Sequence, residues 1–185
     1  MSETQSFGGA AITIRPPEPT DAAALARFAA SVPAHDLLFL ARDIRQPKVL
    51  EAWLKGQHEG TIASLIALDG KEIVATVAAL SDRLSWSPHV WDLRLLVGSS
   101  LRGKGLGRHL LDAAITAATK AGATKLTARM TPDQAGAITL FEECGFRAEA
   151  LLRGQVRDAD GIEHDLAVLA MDPARQAARR EAFGG

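Results

Sequence analysis

A single α/β domain, with a mixed but mostly antiparallel sheet and helices on both of its faces, is the fold class this sequence predicts. Three observations predict it. Apolar runs joined by short turns recur early and late in the chain, the pattern of antiparallel hairpins. One amphipathic helix in the middle sits between two apolar strands, the strand–helix–strand unit that makes a parallel pair. At 185 residues, with 47% apolar and 23% charged, the chain has the size and mix of one soluble globular domain with a real core.

The elements follow in order. Met1 to Gly9 is polar and glycine-rich, so residues 1–10 read as a flexible tail. Ile12 and Ile14 alternate with Thr13 and Arg15 as a short strand, stopped by Pro16 and Pro17. Thr20 is placed to cap a helix running to about Ala30. Val32 to Gln46 has no clear period and reads as a loop or broken helix. Val49 to Gln57 puts Leu50, Trp53 and Leu54 on one helical face. Thr61 to Leu68 and Glu72 to Leu80 are strands joined at Asp69-Gly70, a dipeptide suited to a two-residue hairpin turn.

Val90 to Val97 is the next strand, and Gly105 to Ala121 the best helix. Leu106, Leu110, Ala114, Ala117 and Ala121 form its apolar stripe, and Gly122 stops it. Lys125 to Met130 is a strand, Ala135 to Cys144 a short helix ended by Gly145. Phe146 to Gln155 and Ile162 to Met171 are a final strand pair. There is no internal repeat, so residues 11–172 read as one domain, with 173–185 as a charged, alanine-rich tail, helical or frayed.

Composition excludes several function classes. Formal charge is 21 minus 22, or −1, so no global basic field exists to hold nucleic acid or an anionic membrane. No apolar run is long enough to cross a bilayer. Cys144 is the one cysteine, and no cluster has zinc-ligand spacing, so no metal is expected. Met1 to Ala10 lacks the basic and apolar regions of a secretory signal. The expectation is a cytoplasmic protein.

The strongest chemical signal is Leu101-Arg102-Gly103-Lys104-Gly105-Leu106-Gly107-Arg108. It follows an apolar strand and opens the long helix. Glycines let backbone approach a ligand closely, and the first helical turn offers unpaired N–H groups at the positive end of the dipole, so this turn can cradle phosphate oxygens. Lys104 and Arg108 add positive charge. A dinucleotide fingerprint fails, because its third glycine would fall at Arg108. A P-loop starting at Gly98 also fails, because Gly105 stands where a hydroxyl must hold magnesium.

Arg102-Gly103-Lys104-Gly105-Leu106-Gly107 resembles the signature of the GNAT superfamily of acetyl-CoA-dependent N-acetyltransferases: Gln or Arg, two residues, Gly, one residue, Gly or Ala. A second stretch, Ala137-Ile138-Thr139-Leu140-Phe141-Glu142-Glu143-Cys144-Gly145-Phe146, is similar to that family's A-x-x-L-Y-E-x-x-G-F helix and turn. The likeness extends weakly over Ile12 to Met171. It implies a GNAT-like fold and acetyl-CoA as cosubstrate. It also implies a pantetheine arm lying between two splayed strands, Leu95-Leu96-Val97 and Leu126 to Met130. Gln134, where many members have asparagine, is then placed to contact that arm. The implied activity is acetylation of a primary amine; a small molecule is expected as acceptor rather than a protein, because no long acidic groove for a peptide is evident. A CoA-binding module without catalysis is the alternative. Dimerisation is common in the family.

The departures concern proton transfer. Where the family often has a tyrosine proposed to protonate the leaving thiolate, this chain has Phe141, and it contains no tyrosine at all. Cys144, one helical turn on, is expected to pack in the core as a small hydrophobe. The glutamate some relatives use as base falls at Trp91. Asp92 is adjacent but alternates to the other face, where Arg94 is its natural partner. His89 is either a water relay or an ordinary turn residue. His35, His58, His109 and His164 carry no readable pattern. Asp36, Arg42, Asp43, Trp86 and Trp91 are candidates for lining the acceptor pocket, with Arg42 suited to a substrate carboxylate. No catalytic residue is named by the sequence.

Overall fold

The computed structural model describes residues 2–183; Met1, Gly184 and Gly185 lie outside the described residues. Among the described residues, eight strands form one sheet: β1 (Glu3–Phe7), β2 (Ala10–Arg15), β3 (Ile62–Asp69), β4 (Glu72–Leu80), β5 (Val90–Val97), β6 (Lys125–Met130), β7 (Arg147–Arg157) and β8 (Glu163–Met171). Their order is β1-β2-β3-β4-β5-β6-β8-β7. Every pairing is antiparallel except that of β5 with β6. The helices are α1 (Ala22–Ser31), α2 (Pro47–Glu59), α3 (Leu106–Lys120), α4 (Ala135–Glu143) and α5 (Pro173–Phe183).

Strand alternation divides the core in two. On one face, Trp91 and Leu93 of β5 lie with Leu106, Leu110 and Leu111 of α3 and Phe141 of α4. On the other, Leu96 of β5 lies with Leu25 and Phe28 of α1 and Leu50 of α2. The mixed sheet with helices on both faces is therefore the architecture adopted. Leu106, Leu110 and Leu111 have no exposed surface, and burying leucines of this kind contributes about 1.5–3 kcal/mol each. Of the α3 stripe, Leu106, Leu110 and Ala114 are buried, joined by Leu111 and Ala118 from the row beside it, while Ala117 is half-buried and Ala121 is exposed. Gly122, at φ 96°, ends it.

Three local expectations are corrected. Glu3–Phe7, read as part of a loose tail, is a strand with five residue pairs to β2. Its polar side chains are exposed on both faces, so it shows no alternation. The missed sign was Gly8-Gly9, whose positive φ values of 58° and 87° make the hairpin turn. Thr20 does not cap α1. Asp21 accepts the Glu18 N–H at 2.7 Å and two bonds from Arg15 at 2.7 Å each; the Arg15 bonds, aided by the Glu18 N–H and opposed by burial, hold its carboxyl below the usual aspartate range. At the β3–β4 turn only Gly70 has positive φ, while Asp69 stays in the ladder opposite Glu72. Of the two states expected for the charged tail, Pro173–Phe183 takes the helical one, with Gln176 lying over Gly145.

One irregularity positions the site. β5 and β6 pair from Val90–Lys125 to Leu93–Ala128 and no further. Beyond that point β5 follows β4, ending with Val97 opposite Ala75, and β6 follows β8, ending with Met130 opposite Ala167. The parallel pair opens into a V.

Candidate active site

The V is the floor of a cavity of about 680 Å³. Leu95 and Val97 of β5, Met130 of β6, and Leu140 and Phe141 of α4 line its apolar part. Phe141 is buried and meets Phe146 edge-on, with ring centroids 5.1 Å apart. At one end lies the glycine turn: Arg102, Gly103, Gly105, Gly107 and Arg108 line the cavity there.

The backbone explains why glycine stands at these positions. Gly103 and Gly105 have φ of 71° and 86°, the left-handed region that costs other residues about 1–2 kcal/mol. A Cβ at either would meet nothing within 4 Å, so the backbone borders open space. Gly105 is the N-cap of α3 and supplies no side-chain cap, which leaves first-turn N–H groups available to an anion. Gly107 answers a packing need: a Cβ there would lie 3.3 Å from Leu140 and 3.4 Å from Val97.

The other predicted residues divide. Gln134 is the N-cap of α4, lines the cavity, and accepts the Thr131 N–H through Oε1 at 3.3 Å. Leu96 points to the α1–α2 face and borders both this cavity and a second one. Leu106 is fully buried beneath the turn. The exposed Lys104 lays its stem over Gly8, where a Cβ would collide with it. Arg108 shares its guanidinium with Asp112 at 3.2 Å and Glu143 at 3.4 Å.

The residues weighed for proton transfer or the acceptor pocket are scattered. Cys144 is 1% exposed in the α3-side core, its Sγ 3.9 Å from Asp112 Oδ1. Arg94 Nε donates to Asp92 at 2.9 Å. His89 is a turn residue whose carbonyl accepts the N–H groups of Thr124 and Lys125. Trp91 is buried under α3, Trp86 is fully exposed, and Asp43 is occupied by Arg45 at 2.9 Å. Asp36 lines the V. Arg42 lines the second cavity.

The sequence reading missed the lip of the V. His35 Nε2 lies 2.7 Å from Asp133 Oδ2 on the β6–α4 loop. Asp36, the next residue, accepts Arg102 Nη2 at 2.6 Å, while Arg102 Nε donates to the Val97 carbonyl at 3.0 Å. Two consecutive residues of the α1–α2 segment thus tie both sides of the opening. Since an ionised carboxylate only accepts, this contact is a hydrogen bond in the His35 tautomer that places an N–H at Nε2. Thr131, then His35, hold the Asp133 carboxyl below its usual range against partial burial. Arg129, on β6, adds a further cation to the cavity wall.

A V between parallel strands, closed at one end by a glycine turn and an uncapped helix, defines an acyl-CoA-type N-acyltransferase fold. The model of the acetyltransferase (GNAT) family matches residues 28–146, and the chain belongs to that family. Solved structures agree on the fold. Ribosomal-protein-alanine N-acetyltransferase from Brucella melitensis superposes with a TM-score of 0.72 at 22% identity, covering 86% of this chain and 98% of its own. The yncA protein of Salmonella typhimurium, described as an acetyltransferase and solved with its cofactor acetyl-CoA, gives 0.73 at 20%, covering 88% and 94%. A spermidine N-acetyltransferase SpeG chimera from Vibrio cholerae and hSSAT gives 0.71 at 17%, covering 90% and 98%. No curated protein sequence matches the chain.

Proposed function

We propose that the protein moves the acetyl group of acetyl-CoA to a primary amine on a small molecule. The observation that carries this is the V itself, an apolar slot where β5 leaves β6, ending at two left-handed glycines and the uncapped start of α3. The amides of that first turn, with Arg102 and Arg108, would hold pyrophosphate oxygens. Leu95, Val97, Met130 and Leu140 would flank the pantetheine arm, with Gln134 offering a side-chain amide. The residues present fit the cosubstrate: charge sits at the glycine end and apolar wall along the slot.

In the reaction the amine nitrogen forms a bond to the thioester carbonyl carbon, the C–S bond breaks, the amine gives up a proton to solvent water, and CoA leaves as its thiolate. Phe141 packs there but donates no proton. General acid help is worth about 10²–10⁴-fold, and a thiolate is stable enough to leave into solvent. The three relatives described above include both protein and small-molecule acetyltransferases by name, so the acceptor class has to come from this chain. A second cavity of about 250 Å³ has room for a body of side-chain size, which supports a small acceptor.

The test is thiol release from acetyl-CoA over a panel of small amines and N-terminal peptides, with mass spectrometry of the products. We expect acetylated small amines with kcat/KM at least about tenfold above that for any peptide. Efficient acetylation of peptide N-termini alone would refute the small-molecule assignment.

A further inference from the structure

The second cavity lies on the α1–α2 face of the sheet, and Leu96 is the wall it shares with the V. Leu40 and Ile44 of the α1–α2 segment, Val49 and Trp53 of α2, and Ile62 and Leu80 of β3 and β4 give it an apolar lining. Trp53 offers ring surface only, because its Nε1–H is spent on Ser64 at 2.9 Å and the Ser64 hydroxyl on Gln57 at 2.7 Å. Against this stand two cations, Arg94 in the wall and Arg42 at the rim, and no aspartate or glutamate among the described residues lines the cavity. Arg94 has a partner in Asp92, 2.9 Å away. Arg42, exposed, has no salt bridge among the described residues.

Resting on the acetyltransferase reading above, we propose that this cavity takes acceptors of one chemical class: amines that carry an apolar body and a carboxylate, as amino acids with large apolar side chains do. The apolar body fills the space between α2 and the sheet, and the carboxylate pairs with the fork of Arg42. Polyamines fit the cavity poorly, because their remaining ammonium groups would find no carboxylate among its lining residues. A peptide N-terminus lacks the nearby carboxylate and brings a chain too large for the space.

The test compares L-phenylalanine, L-methionine and L-leucine with their amides and decarboxylated amines, and with spermidine and an N-terminal alanine peptide. Thiol release is read for the wild type, Arg42→Ala and Arg42→Lys, and CoA binding by calorimetry. We expect kcat/KM for the carboxylated acceptors to exceed that for their amides and decarboxylated forms by roughly 10–100-fold, the worth of one charge-assisted pair. Arg42→Ala should bring that ratio near one and Arg42→Lys should keep part of it. A wild-type ratio near one, or a preference for spermidine or the peptide, overturns this inference while acetyl transfer stands. CoA binding with no acetylation of any amine overturns the function beneath it. A ratio that survives in folded Arg42→Ala removes Arg42 as the carboxylate's partner and overturns the inference as stated. Should that variant fail to fold, the wild-type ratios decide alone.

Discussion

Replacing Gly105 by alanine separates the cradle's binding role from its folding role. Gly105 sits at φ 86°, and a Cβ there would touch no existing atom. The cost to folding is then the left-handed backbone alone, about 1–2 kcal/mol. For a chain of this size each kcal/mol shifts Tm by about 2–4 °C, so Gly105→Ala should lower it by about 2–8 °C. Gly122 supplies the control: φ 96°, again nothing within 4 Å, but at the far end of α3. Gly122→Ala should lose a similar amount. Only the alanine at position 105 borders the cavity, where one displaced charge-assisted hydrogen bond is worth about 1.5–3 kcal/mol. That corresponds to roughly 10–100-fold in Kd. Calorimetric titration with CoA, beside ligand-free melting curves, measures both. Unchanged CoA affinity in folded Gly105→Ala, or an equal loss in Gly122→Ala, would refute the reasoning.

Three further outcomes are expected. CoA at about 100 times its Kd should add about 2.7 kcal/mol of stability, read as a Tm rise, whereas Mg-ATP should add nothing because no hydroxyl stands at position 105; stabilisation by Mg-ATP alone would contradict this. Cys144→Ala should leave kcat within about twofold and lower stability by about 1 kcal/mol for the small void, and a folded variant slowed a hundredfold would make the thiol a proton donor after all. Asp21→Asn should cost about 1–3 kcal/mol by breaking the pair with Arg15. The Asp21 carboxyl is held below its ordinary value of 3.8, so its contribution is fully present above that value and is lost as pH falls through the lower folded value. Urea melts should therefore show the gap between wild type and variant closing in acid, and a gap that widens there would overturn the assignment.

The parts legible in the sequence share a local cause. The strand Val90–Val97, the glycine turn and α3 announce themselves within one continuous stretch, Val90–Lys120, by an apolar run, by glycines where φ is positive, and by a helical stripe. Gly145 after α4 is of the same kind. The lip formed by His35 and Asp36 is not local. Its partners Asp133 and Arg102 are 98 and 66 residues away, and the segment around it has no period. β1 was hidden for another reason: an edge strand held by backbone bonds leaves its polar side chains unconstrained. The face reached by Leu96 was fixed by alternation along β5, yet that it would wall two cavities depended on where β6 leaves the ladder, which no residue of β5 encodes.

Four residue pairs, Val90 to Leu93 against Lys125 to Ala128, make up the strand pairing between a five-stranded half of the sheet and a three-stranded half among the described residues. Each half carries one lip of the V. A ligand seated across it grips both halves, so its affinity includes the cost of fixing their relative position. Substitutions that stiffen the seam, far from any ligand atom, would tighten CoA binding by reducing the freedom lost on capture, and substitutions that loosen it would weaken binding with every contact residue intact. On the function proposed above, CoA affinity would then depend on the stiffness of the sheet at Val90–Leu93 as well as on the glycine turn.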